Sequence, residues 1–356
     1  MNQIEALEIR EKLHSIPEVA HCEKETSELV ISFLEQFRPT QIFKNVGGYG
    51  IVACFQGNRP GHSTMFRCEL DAVPGPGGPQ HLCGHDGHMT ILLMLAKELL
   101  ENSDFPGIVY LLFQPAEENG EGAKLMVKDI NNLGIKFDYS IAMHNNPNYE
   151  LNNIIIHHGT YAPASVGVEI LFEGTLSHAA YPEKANSPLL AIIGMVAEVN
   201  KIGNDTSLFG DFVLSTVVNL QLGEVNYGVT PGKGVIRLTL RANKDNDLET
   251  FKSAVKRAAE KTASANNLKI EISYHDYFPA TINNDKLNSL LMSSAKNLNF
   301  NITEAPLPTR GSDDFSHFSK ISEILFFDIG NGKGVDIHEP AYKFNDGIIP
   351  EAVKLY

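Results

Sequence analysis

Up to residue 144 the hydrophobic pattern alternates between helical spacing and short continuous runs. In the segment 24–37, Leu29, Phe33 and Phe37 recur at the i, i+4 spacing of one helix face. The predicted helices are 4–15, 24–37, 86–102 and 121–133, and the predicted strands are 50–54, 63–67, 108–113 and 139–144. Strands that alternate with helices indicate an α/β layer with a largely parallel sheet.

After residue 165 the pattern changes to strand, helix, strand, strand, helix, strand, which is the ferredoxin-like order. These predicted segments are strands 166–172, 212–222, 234–242 and 268–274 and helices 187–202 and 248–266. A helix near 284–298 and a strand near 323–329 are predicted to return to the first sheet. The Gly/Pro-rich segment 74–79 is predicted to be a loop.

The predicted fold class is therefore α/β with two domains. An α/β/α catalytic domain with a mainly parallel sheet takes up residues 1–164 and 280–356. An inserted ferredoxin-like α+β domain takes up residues 165–279.

Composition and charge limit the classes of partner. The 356 residues carry a net charge of -14, so a nucleic-acid backbone is not expected as the partner. The most apolar stretch, 91–100, contains Lys97 and Glu98 and is too short and too charged to span a bilayer. The N-terminus does not resemble a signal peptide, and the four cysteines show no paired short spacing. These features predict a cytoplasmic protein without a membrane partner.

The segment from His81 to His88 carries the strongest chemical signal. Cys83 and His85 stand two positions apart, so a thiolate and an imidazole can reach one ion from a single turn. An apolar run precedes this turn and a helix follows it, an arrangement typical of ligand sites in open α/β sheets. The alternative is a histidine-rich surface loop, with Cys83 as a small buried apolar residue.

Three further segments place ligand-type residues after apolar runs. Glu117 and Glu118 follow a predicted strand, so one carboxylate can bind an ion while the other acts as a general base; alternatively, the pair opens a helix. His144 and His338 also follow apolar runs, although each alone is more simply an ordinary polar residue. Together the four segments predict a site for Zn²⁺, with Mn²⁺, Co²⁺ or Ni²⁺ as alternatives, and two ions are a reasonable number.

These residues resemble the aminoacylase and indoleacetyl-amino-acid hydrolase group of dinuclear metallohydrolases, which are related to bacterial glutamate carboxypeptidases. The resemblance covers nearly the whole chain. Its motifs are Leu13-His14-Ser15-Ile16-Pro17-Glu18, Glu69-Leu70-Asp71-Ala72-Val73-Pro74, Cys83-Gly84-His85-Asp86-Gly87-His88, Gln114-Pro115-Ala116-Glu117-Glu118, His144-Asn145-Asn146-Pro147, Ser177-His178-Ala179-Ala180 and His338-Glu339-Pro340.

The resemblance implies roles for individual residues. The expected metal ligands are Cys83, His85, Glu118, His144 and His338. Glu117 would be the general base, Asp71 would support the ligands, and the inserted domain would act as a lid and dimer interface. Within it, His178 would stabilise the developing oxyanion, and Asn226 and Arg241 would bind a substrate carboxylate. Alternatively, His178 caps a turn and Arg241 is a solvated strand end.

Some features depart from the family pattern. The segment from Gly311 to Phe315 has Asp313 where relatives have glutamate, and the shorter side chain is expected to shift a contact behind the metal ligands. The chain ends at Tyr356, so the last helix of the relatives is expected to be short or missing.

The expected function is hydrolysis of the amide bond of an N-acyl amino acid by metal-activated water, with two divalent metal ions as cofactors. The expected assembly is a homodimer formed through the inserted domain. A dipeptidase or aminopeptidase of the same fold, acting on short peptides, is the first alternative. A non-catalytic metal-binding relative and a purely structural zinc site are the others.

Overall fold

The computed structural model describes residues 2–356, which form two compact units. The first unit takes up the chain through Tyr161, Thr281–Thr309 and Asp313–Tyr356. The second unit takes up Ala162–Ala280 and Arg310–Ser312. A role of the second unit as a lid or dimer interface stays a prediction.

Residues 2–356 form eight α-helices and sixteen strands. The helices are α1 (Gln3–His14), α2 (Lys24–Gln36), α3 (His85–Glu101), α4 (Gly122–Leu133), α5 (Leu189–Gly203), α6 (Asp245–Ala265), α7 (Asp285–Asn297) and α8 (Ile348–Leu355). The strands are β1 (Gln41–Val46), β2 (Gly50–Gln56), β3 (Arg59–Glu69), β4 (Val73–Gly75), β5 (Gly78–Gln80), β6 (Pro106–Gln114), β7 (Tyr139–Asn146), β8 (Ile154–Ile156), β9 (Thr160–Ala162), β10 (Ala164–Glu173), β11 (Val213–Leu222), β12 (Lys233–Ala242), β13 (Lys269–Phe278), β14 (Thr281–Ile282), β15 (Ile302–Glu304) and β16 (Glu323–Gly330).

The first unit is built on an eight-stranded sheet in the order β1-β2-β6-β3-β7-β16-β8-β15. Its central strands β6, β3, β7 and β16 are mutually parallel, which confirms the predicted α/β class with a mainly parallel sheet. The pairs β1–β2, β2–β6 and β16–β8 are antiparallel. The carboxyl ends of the central strands therefore meet at one edge, where open α/β sheets bind ligands.

Helix α3 is the most buried helix of the first unit. Its residues from His85 to Ala96 are all buried, and only its last turn reaches the surface, beginning at Lys97. Leu93 and Met94 lie in the same apolar cluster as Leu13 of α1 and Phe113 of β6. Burial of each such side chain stabilises the fold by about 1.5–3 kcal/mol. The first turn of α3, which carries His85, is thereby held rigidly.

The second unit has a four-stranded antiparallel sheet in the order β11-β12-β10-β13. Its elements follow the predicted order of strand, helix, strand, strand, helix, strand. Ile236, Leu238 and Leu240 alternate along β12 and share an apolar cluster with Val199 of α5 and Phe251 of α6. One face of the sheet is therefore covered by the two helices.

The structure contains a short hairpin in a segment that the sequence predicts to be a loop. The predicted loop 74–79 contains the hairpin β4–β5, which turns through Gly77 and Gly78 at φ values of 92° and 133°.

Among the described residues, none of the helices combines the length and the apolar character that crossing a bilayer requires.

Candidate metal centre

Three of the four predicted ligand segments lie at or after the carboxyl ends of central strands of the first unit. Glu117 and Glu118 follow β6, whose last residue is Gln114. His144 lies near the end of β7 and is paired in register with Asp328 of β16. His338 follows β16, and its backbone N–H donates to the carbonyl of Leu82 at 2.7 Å. The parallel strands thus bring distant parts of the chain to one edge.

Gly84 makes the turn between Cys83 and His85. Its φ of 97° lies in the left-handed region, and a Cβ there would stand 2.3 Å from Asn145 Oδ1. Only glycine fits both the conformation and the space. The turn ends the loop from β5 and starts α3 at His85.

Replacing Gly84 by alanine is expected to lower the free energy of unfolding by about 1–3 kcal/mol because of backbone strain. The clash of the new Cβ with Asn145 should lower it further. Gly77→Ala is the matched control, because Gly77 has a φ of 92° but no atom near its Cβ position. Urea unfolding of both variants measures the difference. Equal losses would show that the contact with Asn145 is unimportant.

The five predicted ligands converge within the first unit. The Cys83 sulfur lies 3.4 Å from His144 Nε2 and 3.3 Å from His338 Nε2. Glu118 Oε1 lies 3.4 Å from His338 Nε2 and 3.8 Å from His85 Nε2. The ligand atoms form groups of three that lie close enough together to hold one ion. Some residues belong to more than one of these groups.

Hydrogen bonds orient the imidazoles toward that centre. His85 Nδ1 donates to the carbonyl of Asp71 at 2.8 Å, and His144 Nδ1 donates to the carbonyl of Asn145 at 2.8 Å. Because a carbonyl can only accept, each Nδ1 carries the proton and each Nε2 keeps its lone pair. The Asp71 carboxylate also accepts from the backbone N–H of Glu118 at 2.9 Å. Asp71 therefore holds two of the predicted ligands, as expected for a supporting residue.

The donor atoms fit divalent metal ions. His85 Nε2 and Glu118 Oε1 are buried and make no hydrogen bond, and buried polar atoms without partners are rare. The donor set mixes sulfur, nitrogen and carboxylate oxygen, which suits Zn²⁺ and other first-row divalent ions. Five donors exceed the four of one structural zinc, so the set fits two ions.

The protonation of the ligands agrees with such a site. Burial lowers the pKa of His85 to about 4 and also lowers the pKa of His144, so both rings are neutral at pH 7. Burial, followed by the charges of Glu118 and Glu117, raises the pKa of the Cys83 thiol well above its usual range. A bound cation would reverse that direction, because thiolates form readily at metal ions.

Glu117 lies beside the ligands with 8% of its surface exposed. Its Oε2 is 3.8 Å from His85 Nε2. Burial, then the charges of Asp313 and Glu118, raises the pKa of Glu117 well above its usual value. Without a bound cation, Glu117 is therefore a carboxylate with increased affinity for a proton.

A buried ion network lies behind the centre. Arg67 is fully buried and pairs with Glu69, with Asp313 at 3.0 Å and with Asp314 at 3.3 Å. Gln114 accepts from Arg67 Nε at 2.9 Å. Asp313, the residue that departs from the family pattern, thus contacts the guanidinium directly.

Most of this network is not evident from the sequence pattern. Glu69 accepts from His88 Nδ1 at 2.8 Å, and His88 Nε2 lies 2.7 Å from Asn145 Oδ1. Asn145 donates in turn to the hydroxyl of Tyr342 at 2.6 Å. The sequence does contain one signal of a buried ion network, namely Arg67, because it is a charged residue within an apolar run typical of a buried strand.

The three remaining predicted site residues lie in the second unit. His178 Nδ1 accepts from the backbone N–H of Ala180 at 3.0 Å, and Asn226 accepts from the N–H of Gly228 at 2.7 Å, so both cap local turns. Arg241 Nη1 donates to Ser312 Oγ at 2.8 Å and to the carbonyl of Arg310 at 3.0 Å. Their substrate contacts stay predictions.

Comparison with known proteins gives consistent results. The chain is 28% identical to a hippurate hydrolase from Campylobacter jejuni over 369 residues, covering 98% of this chain and 94% of that protein. It is 27% identical to an N-acetyl-L-cysteine deacetylase from Bacillus subtilis, covering 97% and 84%. A dinuclear metal-binding peptidase of the M20 family from Bacillus subtilis has the same fold, with a TM-score of 0.83 at 22% identity and coverage of 99% and 95%.

The family assignment rests on a direct match. The model of peptidase family M20/M25/M40 matches residues 65–356, which include all five predicted ligands and Glu117. The resemblance inferred from the sequence motifs is thereby confirmed. Because the match covers most of its length, the chain belongs to peptidase family M20/M25/M40.

Proposed function

We propose that this protein is a metal-dependent amidohydrolase that cleaves the amide bond of N-acyl amino acids. The convergence of Cys83, His85, Glu118, His144 and His338 beside a buried Glu117 carries the proposal. Family membership supports hydrolysis of C–N bonds. The relatives named for hippurate hydrolysis and N-acetyl-L-cysteine deacetylation support an N-acyl amino acid as the substrate class.

The five ligands would hold two divalent ions, which when bound lower the pKa of a water and polarise the amide carbonyl. The chain contributes the proton transfers. Glu117 accepts the proton of the attacking water on a carboxylate oxygen and delivers it to the leaving amine nitrogen, which breaks the C–N bond.

The second unit is proposed to supply substrate contacts. His178 would donate to the developing oxyanion, and Asn226 and Arg241 would bind the α-carboxylate of the substrate. The hydrogen bonds from Arg241 Nη1 to Ser312 and Arg310 hold the guanidinium in place. Nη2 and Nε take no part in these two bonds. Two donors of one guanidinium edge can hold a carboxylate.

A hydrolysis screen tests the proposed function. N-acetyl amino acids, longer N-acyl amino acids and dipeptides are offered to protein loaded separately with Zn²⁺, Mn²⁺, Co²⁺ or Ni²⁺. The expected result is release of the free amino acid from acyl substrates, with loss on chelation. Cleavage confined to dipeptides would instead indicate a peptidase. No cleavage with any ion would overturn the proposal.

We also propose that the chain forms a homodimer through the second unit and works in the cytoplasm. Strand β11 lies at the edge of its sheet and exposes Val218 and Leu220, while α5 exposes Leu190 and Ile193. Edge strands with exposed apolar residues readily pair with another chain. A reducing compartment would keep the Cys83 thiol available as a ligand.

Leu220→Lys is expected to convert the dimer to a monomer, because it places a charge on the proposed pairing edge. Light scattering after size-exclusion chromatography measures the mass. Leu307→Lys, at a residue of the first unit that is 74% exposed, is the matched control and should leave the mass unchanged. A dimer that persists in Leu220→Lys would contradict this interface.

A further inference from the structure

A separate pocket of about 440 Å³ lies in the first unit, within the size range of small-molecule sites. It is formed by α1, by the segment that precedes Cys83 and by the segment that follows His338. Neither Glu117 nor any of the five proposed metal ligands lines it. The pocket is therefore distinct from the reacting centre described above.

Apart from one glutamine and one tyrosine, the polar side chains that line this pocket are basic. Arg10, His14, His81 and Lys343 line it, and its described lining contains no aspartate or glutamate. This local excess contrasts with the net charge of -14 of the whole chain. A pocket with this lining favours an anion.

Arg10 is fixed in position before any ligand arrives. Its Nη1 lies 2.6 Å from the fully buried carboxylate of Asp86, and its guanidinium stacks over the ring of Phe344 at 5.4 Å. Asp86 also accepts from His14 Nδ1 at 2.6 Å. The Nε of Arg10 is buried without a hydrogen bond, 3.7 Å from Asp346. Asp86 thus orients both basic groups, although it and Asp346 offset part of their charge, and Arg10 Nε makes no hydrogen bond.

His81 gives independent evidence for a ligand. It is only 5% exposed, and neither of its ring nitrogens makes a hydrogen bond of normal geometry, although the backbone of Leu13 lies near it. The N–H of His81 therefore has only a poorly aligned acceptor in the backbone of Leu13, and a buried donor without a well-aligned acceptor loses part of its hydrogen-bond energy. An oxygen of a ligand in the pocket would accept this bond.

The remaining walls are apolar and stiff. Pro17, Pro79, Leu82, Pro340 and the ring of Phe344 line the pocket. Such walls favour a compact apolar body, because they lose exposed surface on contact and have few conformations to lose. We propose that this pocket binds a small carboxylate with a compact apolar body, whose carboxylate contacts Arg10, His81 and Lys343.

Isothermal titration of benzoate into the metal-loaded protein tests the proposal. Lys343 is exposed, so Lys343→Glu should fold normally and is expected to weaken benzoate binding by at least about tenfold, because an attractive charge near the carboxylate becomes repulsive. Lys343→Arg should retain binding. Lys286→Glu, an equal charge change at an exposed residue of α7, should leave the affinity unchanged.

Two further measurements identify the site and the ligand class. Benzoate is expected to shift the imidazole NMR signals of His14 and His81, and inorganic phosphate is expected to bind more weakly than benzoate. Equal affinities in Lys343→Glu and wild type, or shifts confined to His85 and His144, would overturn the proposal. Phosphate binding as tight as benzoate would refute the requirement for an apolar body. Because titration does not require turnover, failure of this proposal is distinguishable from failure of the proposed hydrolysis.

Discussion

Replacing Glu117 by glutamine is expected to lower kcat/KM for an N-acyl amino acid by about 10²–10⁴-fold, the usual contribution of a positioned general base. Glutamine keeps the size and polarity of the side chain but cannot take a proton at pH 7. The loss should fall on kcat, because Glu117 acts in the transition state and is not a proposed metal ligand. Steady-state kinetics with an N-acetyl amino acid measures it.

Glu118→Gln is the matched control for this prediction. The two residues are adjacent and both are largely buried, but only Glu118 lies within 3.4 Å of His338. Glu117→Gln should therefore keep its metal content, whereas Glu118→Gln should lose part of it. Full turnover in Glu117→Gln, or the same loss of metal in both variants, would refute the separate roles of base and ligand.

Arg67→Met is expected to lower the free energy of unfolding by about 3–5 kcal/mol, the usual cost of removing one partner of a buried ion pair. The side chain is fully buried and pairs with Glu69, Asp313 and Asp314. Methionine would fill much of the volume but leave these carboxylates without a positive charge. Urea unfolding at pH 7 measures the loss.

Arg59 provides the comparison, because it lies on the same strand but pairs with Asp104 in solvent at 3.1 Å. Exposed pairs contribute about 0–1 kcal/mol, so Arg59→Met should change stability little. Adding Asp313→Asn to Arg67→Met should recover part of the loss, because one uncompensated charge is removed. Similar losses for Arg59→Met and Arg67→Met would contradict the importance of the buried network.

The sequence was informative where a periodic pattern and a chemical motif coincided. Strands β3, β6, β7 and β16 were predicted from apolar runs, and the ligand-type residues followed those runs. Parallel strands bring such positions together, so the contact between Cys83 and His338 was predictable in outline. The position of Glu117 and Glu118 after a strand indicated two different roles, and the family resemblance assigned each role to a residue.

The rest depends on contacts between distant segments. Strands β8 and β15 have three residues each, too few for a periodic signal, and half of the residues of β1 are polar without a strict alternation. The pairing of Arg67 with Asp313 joins residues 246 positions apart, and no local pattern predicts it. The pocket that contains His81 likewise forms only when α1 packs against the first turn of α3.

Metal analysis by mass spectrometry, combined with chelation, tests the central claim most directly. Protein reconstituted with Zn²⁺ or Mn²⁺ and freed of excess ion is expected to hold about two ions per chain. Cys83→Ala and His338→Ala should each lower that number and abolish hydrolysis in parallel. A chain that binds no ion, or that hydrolyses its substrate equally well after complete chelation, would contradict the account.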